Sequence, residues 1–500
     1  MNISMEQTVF EVTGSMSPMA DSLKLTQTLR PKENSAGIKE ILFCGADTFI
    51  TEATSRDGLC CIKGNANCTM YYRAENDVLD AITAEIPYEY IGECPKGLLT
   101  PLINARITSA KAVNVKPRRA DMEITVAFEG LLAERAEASR DLNLKDIDML
   151  YIKSTSQSAD TISINQTTEK IFLEFETTRS PQNAIACTAE LTTFESARGK
   201  GGLLFSASLT ANALYTCQND DNDSEYYSAL KQVDIERFIE LPDNAFYDSY
   251  SITAKVCAGP SEVIWQQEGA LLTASADLAV TVIMYKKNTW DACEDLYSAQ
   301  RAVLPVIKQV KCARLTQEQT IPLSLNDAKK TPGDFVFVKG SFGQMRYDIK
   351  QAEEICEITG EVEVTGILFK EQGEAFRMER LVLPFKETLP KQSGEQLFIT
   401  PELKNFSMEI DDDKLIAAAE THINFSRFAF GEIPFIEEVN EGAFEAENDS
   451  YQRITVVYAT DKEDLWEAAK EAGRGIAEIL ADNSINDIED ISGGKPLIIR

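Results

Sequence analysis

The sequence predicts a mainly β chain: three tandem sandwich- or barrel-like β domains, then a small domain ordered strand–helix–helix–strand. Three observations carry that reading. Apolar and polar residues alternate with a period of two over long stretches. The same alternating hairpin recurs at intervals of a whole domain. The texture turns helical only after about residue 443.

The clearest hairpin is "GEVEVTGILFKEQGEAFRMERLVLPFKE", beginning at Gly360. Ile358, Gly360, Val362, Val364, Gly366 and Leu368 share one face, and Thr359, Glu361, Glu363 and Thr365 the other. That is the pattern of a strand buried on one side. An earlier stretch, "GNANCTMYYRAENDVLDAITAEIPYEY" from Gly64, opens on the same glycine and closes on the same apolar-Pro-aromatic triplet. There Ile62, Ala66, Cys68 and Met70 form the apolar face. The later copy has one more residue between its glycine and its proline, which fits a bulge or a longer turn. A weaker copy, "LLFSASLTANALYTCQNDDNDSEYYSALKQVDIERF", lies between them and lacks the proline. Aligning Tyr72, Tyr215 and Phe369 gives spacings of 143 and 154 residues. Solenoid repeats are far shorter, so a row of similar domains is expected.

Each copy has an extended lead-in: "VFEVTGSM", "KIFLEFETTRS" and "VKCARLTQEQTIPL". Each also has a strand-rich second half: "ADMEITVAFEGLL", "GALLTASADLAVTVIMYKK" and "KLIAAAETHINFSRFAF". The expected domains are 1–150, 151–300 (the divergent one), 301–443 and 444–500. In the last, a strand at Ile454–Tyr458 precedes a helix capped by Asp461 or Asp464. Leu465, Ala468 and Ala469 recur at helical spacing, and Gly473 is a good stop. A second short helix and a final "KPLII" strand follow.

The 500 residues carry a net charge of −31, which argues against nucleic acid and anionic membranes as partners and suits a basic one. The short cluster "KPRR" at 116–119 reads as a solvated loop. No run is long and apolar enough to span a membrane, and the first residues lack the pattern of a secretory signal. Eleven cysteines without a Cys-x-x-Cys are expected to be reduced, small apolar residues. Cys60 and Cys61 would point to opposite strand faces, and oxidative cross-linking in assemblies is the alternative role for them. Chemistry-bearing patterns are sparse. The single histidine, His422, reads as satisfied or surface-exposed rather than catalytic. "GKGG" lacks the rest of a phosphate loop, and "NDDNDSE" and "DDD" read as solvated turns rather than metal sites. No catalytic residue, metal or cofactor is therefore assigned.

The C-terminal order, with Asp464, Leu465, Trp466, Ala468, Ala469, Asn483, Gly494, Leu497 and Ile499 in place, resembles a LysM domain. Such domains typically bind N-acetylglucosamine glycans. The repeated "ITGEVEVTGILF" pattern, its charged turn, the "IPY" close and Ile38-Lys-Glu-Ile-Leu42 resemble the SPOCS domain of endospore proteins. Three such domains before a LysM domain resemble the SipL family of spore-coat morphogenetic proteins. The resemblance implies a structural protein made in the mother-cell cytoplasm and carried to the spore surface, coat or exosporium. Its implied partner is the ATPase scaffold of the coat's basement layer or another coat protein, with self-assembly or glycan contact as further expectations. Asp461, Asp464, Leu465, Trp466, Asp482 and Asn483 are the expected partner-binding residues: an acidic field to steer a basic protein, around an apolar anchor. The alternative is a peptidoglycan-binding role in the cortex or cell wall.

Overall fold

The computed structural model describes residues 3–499 apart from 34, 146, 148, 219–223, 242–246, 267–268, 371–375, 443–454, 460 and 486–494. The chain is mainly β, as the alternation predicts. A first set of six strands comprises β1 (Met5–Leu29), β2 (Ile38–Arg56), β3 (Leu59–Ala74), β4 (Leu79–Glu93), β5 (Leu99–Lys116) and β6 (Arg119–Leu144). They form two antiparallel three-stranded sheets, ordered β1-β6-β5 and β2-β3-β4. A second set repeats this: β7 (Leu150–Phe175), β8 (Asn183–Gly199), β9 (Gly202–Gln218), β10 (Ser224–Glu240), β11 (Ser249–Gln266) and β12 (Gly269–Ser298). A third follows: β13 (Val303–Lys330), β14 (Phe335–Gln351), β15 (Ile355–Lys370), β16 (Phe376–Pro390), β17 (Gln396–Asp411) and β18 (Lys414–Glu441). The three sets share one connectivity: in each, the second, third and fourth strands form one sheet, and the last strand lies between the first and the fifth in the other. The three lead-ins fall on β1, β7 and β13, and the three second-half segments on β6, β12 and β18.

Each set buries a core between its two sheets. In the first, Ile62, Met70, Met122 and Phe128 meet; in the second, Phe205, Leu209 and Val282; in the third, Val362, Val364 and Ile423. The hairpin register explains the repeated glycine. Gly64 pairs with Tyr88, and Gly360 with Phe385. The aromatic ring lies over the bare glycine, a device that fills the space a side chain leaves. A Cβ on Gly360 would stand 2.5 Å from both Arg346 O and Phe385 Cζ. The second set replaces this pair by Ala207 opposite Ile235, so it needs neither the glycine nor the ring. The extra residue of the third copy falls in the connection: five residues separate β15 from β16, and four separate β3 from β4.

Register also corrects the alignment of aromatics. Tyr72, Tyr215 and Phe369 all lie on the central strand of corresponding sheets, but Phe369 faces the other way. Counted from the paired glycines, the equivalent of Tyr72 and Tyr215 is Leu368, and each of these three faces its own core. Ile367 matches Tyr71 and Leu214, and those three meet, with Phe369 beside them, in one cluster. A slip of one residue exchanges the faces of a strand, so the sequence alignment was one residue out in the third copy.

That cluster shows why the sets are not beads in a row. It takes Tyr71 and Leu79 from the first set, Leu214 and Tyr226 from the second, and Phe369 and Phe376 from the third. Tyr71 lies 4.6 Å from Phe342 between ring centroids, and Tyr226 lies 4.9 Å from Phe369. Three further layers take residues from all three sets: Leu131, Tyr285 and Phe428; Val12, Trp290 and Cys312; Leu144, Leu296 and Val303. These sit on β1, β6, β7, β12, β13 and β18, which run 25 to 30 residues because one part of each serves a sandwich and the other a shared layer. Polar contacts stitch the same junctions. Ile162 N donates to Thr13 Oγ1 at 2.9 Å, and Asn67 Nδ2 to Asp277 Oδ2 at 2.9 Å.

β15 is accordingly covered on both sides, against the expectation of one wet face. Glu363, Thr365, Ile367 and Phe369 are as buried as the apolar row. Glu363 survives there by meeting Arg346 and Arg380, each at 3.4 Å. The chain closes with β19 (Thr455–Ala459), α1 (Lys462–Ala472), α2 (Ile476–Asp482) and β20 (Lys495–Ile499), with β19 and β20 antiparallel. No helix among the described residues is long and apolar enough to cross a membrane.

Candidate interaction surface

The C-terminal module is built by local rules legible in its letters. Asp461 caps α1, its Oδ1 accepting from the amides of Glu463 and Asp464, each at 2.9 Å. Glu463 and Asp464 put negative charge on the helix's positive end. Gly473 ends the helix at φ 61°, a left-handed conformation glycine adopts without a Cβ penalty. Gly475 is small for a second reason: a Cβ there would lie 2.7 Å from the Tyr151 hydroxyl.

The expected apolar anchor is not on the surface. Leu465 is 0% exposed and Trp466 7%. Both pack with Ala469, Ile479 and Leu497 against Tyr297. The Trp466 ring meets Tyr297 edge-on at 5.0 Å, and Tyr297 stacks on Tyr151 at 4.9 Å. Trp466 is therefore spent on holding the module to the ends of β7 and β12. The physical reason is its two-sided chemistry: an apolar ring needing cover and an N–H needing an acceptor. Asp295 supplies the acceptor, taking the indole N–H on Oδ2 at 2.7 Å. Lys470 Nζ reaches both oxygens of the same carboxylate, at 2.9 and 2.7 Å. Burial works against the Asp295 charge, but Lys470, Trp466 and the Leu296 amide outweigh it and hold the carboxyl below its ordinary range. The Tyr297 hydroxyl donates to Arg474 O at 2.6 Å, and Lys153 pairs with Glu463 at 3.0 Å.

Two other expected partner residues are also engaged internally. Asn483 donates to Ile479 O and Ile498 O, each at 2.8 Å, and accepts from Ile498 N at 2.7 Å. It ties the end of α2 to β20. Asp482 pairs with Arg474 at 2.7 Å. Asp464 is on the exposed side of α1, in line with Glu467 and Glu471 at positions three and seven further on. The acidic field expected here thus rests on the outer stripe of α1. On β19 and β20 the alternation leaves Val456, Tyr458 and Ile498 exposed on one face. Sequence reasoning missed Asp295, Tyr297, Tyr151 and Arg474, because a contact across more than 170 positions leaves no local signature.

The cysteine pair divides as its adjacency predicts. Cys60 is fully buried in the first core, and burial pushes its thiol up to about 11. Cys61 is half-buried and donates to Glu89 Oε1 at 3.4 Å. Burial and that carboxylate raise its thiol as well. Of the two, Cys61 alone keeps surface that a cross-link could use. All eleven cysteines are free thiols. His422 lies beside Glu420, Nε2 to Oε1 3.1 Å, and is only partly buried. "KPRR" forms the β5–β6 turn, where Arg118 donates to Ser35 O at 2.7 Å. Asp412 sits in the β17–β18 turn at φ 53°. The first acidic loop, at 219–223, lies outside the described residues. Among the described residues no group of three His, Cys, Asp or Glu is placed to hold a metal. Comparison of the chain with family models, with curated proteins and with solved structures finds no match.

Proposed function

We propose that this chain is a structural, morphogenetic protein of the endospore coat or envelope that acts by binding other proteins. The observation that supports this most is the set of layers shared by all three six-stranded units. Apolar surface that separate domains would leave to solvent is used to lock them together. Such a body resists rearrangement, which suits a spacer or scaffold. The C-terminal module, clamped through Asp295, presents the acidic stripe Asp464, Glu467 and Glu471 outward. Such a field steers a basic protein surface and is of little use to a neutral glycan. The resemblance to the SPOCS and LysM domains supplies the setting, and the coat's basement-layer ATPase or another coat protein is the expected partner.

Truncation after residue 445 tests the reading. The truncated chain is expected to fold and to lose its place at the spore surface. Pull-downs with coat proteins, beside pull-downs with chitin oligomers and peptidoglycan, separate the protein-binding role from the glycan-binding one. Normal localisation of the truncated chain overturns recruitment by this module, and tight glycan binding returns it to the peptidoglycan reading.

A further inference from the structure

Between the three sets lies a cavity of about 230 Å³, bordered by β2 and β5, by β8 and β11, and by β14 and β17. It adjoins a second of about 350 Å³, with Asn104, Gln166, Thr253, Thr281 and Thr400 lining both. Together they fall in the range of about 300–1,000 Å³ usual for small-molecule sites. The register places Asp47, Glu190 and Gln344 at equivalent positions on the second strand of each set: they face Asn67, Thr210 and Glu363 on the central strands. One polar side chain from each set therefore lines one level of the cavity.

The charges there are unevenly matched. Lys255 stands 3.4 Å from Asp47 and donates to Thr48 O at 3.0 Å. Arg106 pairs with Glu129 and lies over the Tyr347 ring at 4.5 Å. Lys404 pairs with Glu402. Each cation that lines the cavity thus has its acid. Glu190 has none: among the described residues its Oε2 is buried without a hydrogen-bond partner. Gln344 Nε2 is likewise unpartnered.

We propose that this cavity binds a small aliphatic amine, whose ammonium group meets the Glu190 carboxylate. The missing charge in the lining is positive, so an anion is excluded by Glu190 and by the paired state of the three cations. A bare metal ion is disfavoured because no cluster of three acidic, His or Cys ligands exists among the described residues. Phe49, Ile103, Leu191 and Phe406 provide apolar wall for a carbon chain. In the adjoining chamber Glu318 offers a second carboxyl, which burial also raises. A diamine or polyamine would reach from one acid toward the other. Burial alone pushes the Glu190 carboxyl up to about 7, so an ammonium must compete with a proton there. The other charged groups facing the cavity are paired: Lys255 with Asp47, Arg106 with Glu129, and Lys404 with Glu402.

The test is titration calorimetry of the full chain with butylamine, putrescine and spermidine, at pH 8 and pH 6 in 0.15 M salt. The expected result is one saturable site per chain, about tenfold tighter at pH 8. Glu190→Gln is expected to abolish it, while Glu467→Gln on the outer stripe leaves it unchanged. Equal affinity in Glu190→Gln, or weak unsaturable binding to the acidic surface, overturns the proposal. So does competition by millimolar Ca²⁺, which would mark a site selecting charge alone. If Glu190→Gln does not fold, the pH comparison on the unaltered chain decides: equal affinity at both pH values overturns the assignment to Glu190.

Discussion

Asp295→Ala is expected to release the C-terminal module while leaving the β body intact. Asp295 accepts one hydrogen bond from Trp466 and two from Lys470, and its side chain is only 18% exposed. Hydrogen bonds to a charged group contribute about 1.5–3 kcal/mol each, and removing one partner of a buried pair costs about 3–5 kcal/mol. Lys470 is one-third exposed, so solvent replaces part of its loss. A net cost of about 2–3 kcal/mol remains, which multiplies the undocked population by roughly 30–150-fold. Hydrogen exchange reads it directly: amides of α1 and of the ends of β7 and β12 should exchange faster by that factor, while those of β3, β9 and β15 do not change. Asp295→Asn should fall between, keeping an acceptor for the indole but losing the charge. The pH dependence has a definite sign. The carboxyl lies below its ordinary 3.8 in the folded chain, so its contribution is complete above that value and fades as pH drops through the lower one. Unchanged exchange in α1 for Asp295→Ala would refute the clamp.

Gly360→Ala drives a Cβ to 2.5 Å from Arg346 O and Phe385, so it should lower third-set stability by about 3 kcal/mol in urea denaturation. Ala207→Gly at the equivalent position should cost only about 1 kcal/mol. Glu190→Gln tests burial of the cavity acid. A folded value of about 7 against an ordinary 4.5 means that stability falls as pH rises between them. The full shift is worth about 3 kcal/mol, and cavity solvent reduces it to about 1–2. The variant should match the unaltered chain at pH 4 and exceed it by that amount at pH 8, measured without amines. Finally, a maleimide should label Cys61 in the folded chain and Cys60 only after unfolding; equal labelling of both would show the first core to be open.

How much the letters reveal depends on what each contact needs. The hairpins are legible because alternation, glycine and turn lie within some 25 residues of one another, and the helix cap, stop and order of the final module are equally local. The one-residue error at Phe369 arose because aromatic identity was aligned instead of the glycine that fixes the register. Second-set divergence also has a local cause, since Ala207 and Ile235 solve the same packing problem without Gly or Pro.

What stays hidden is cover. A period of two separates two faces of a strand but does not say which one is wet. Asn67 and Glu363 carry the same polar signal as Lys63 and Glu361 beside them, yet the first pair is buried and the second is not. The burial of Asn67 depends on the second set, whose Ala258 O and Asp277 it meets across 191 and 210 positions of sequence. The same blindness explains Trp466. A tryptophan at the start of an acidic helix predicts that something apolar will cover it and that something will accept its N–H. Tyr297 and Asp295 do both from within the chain, which leaves the exposed acids of α1, rather than the tryptophan, on the module's outer face.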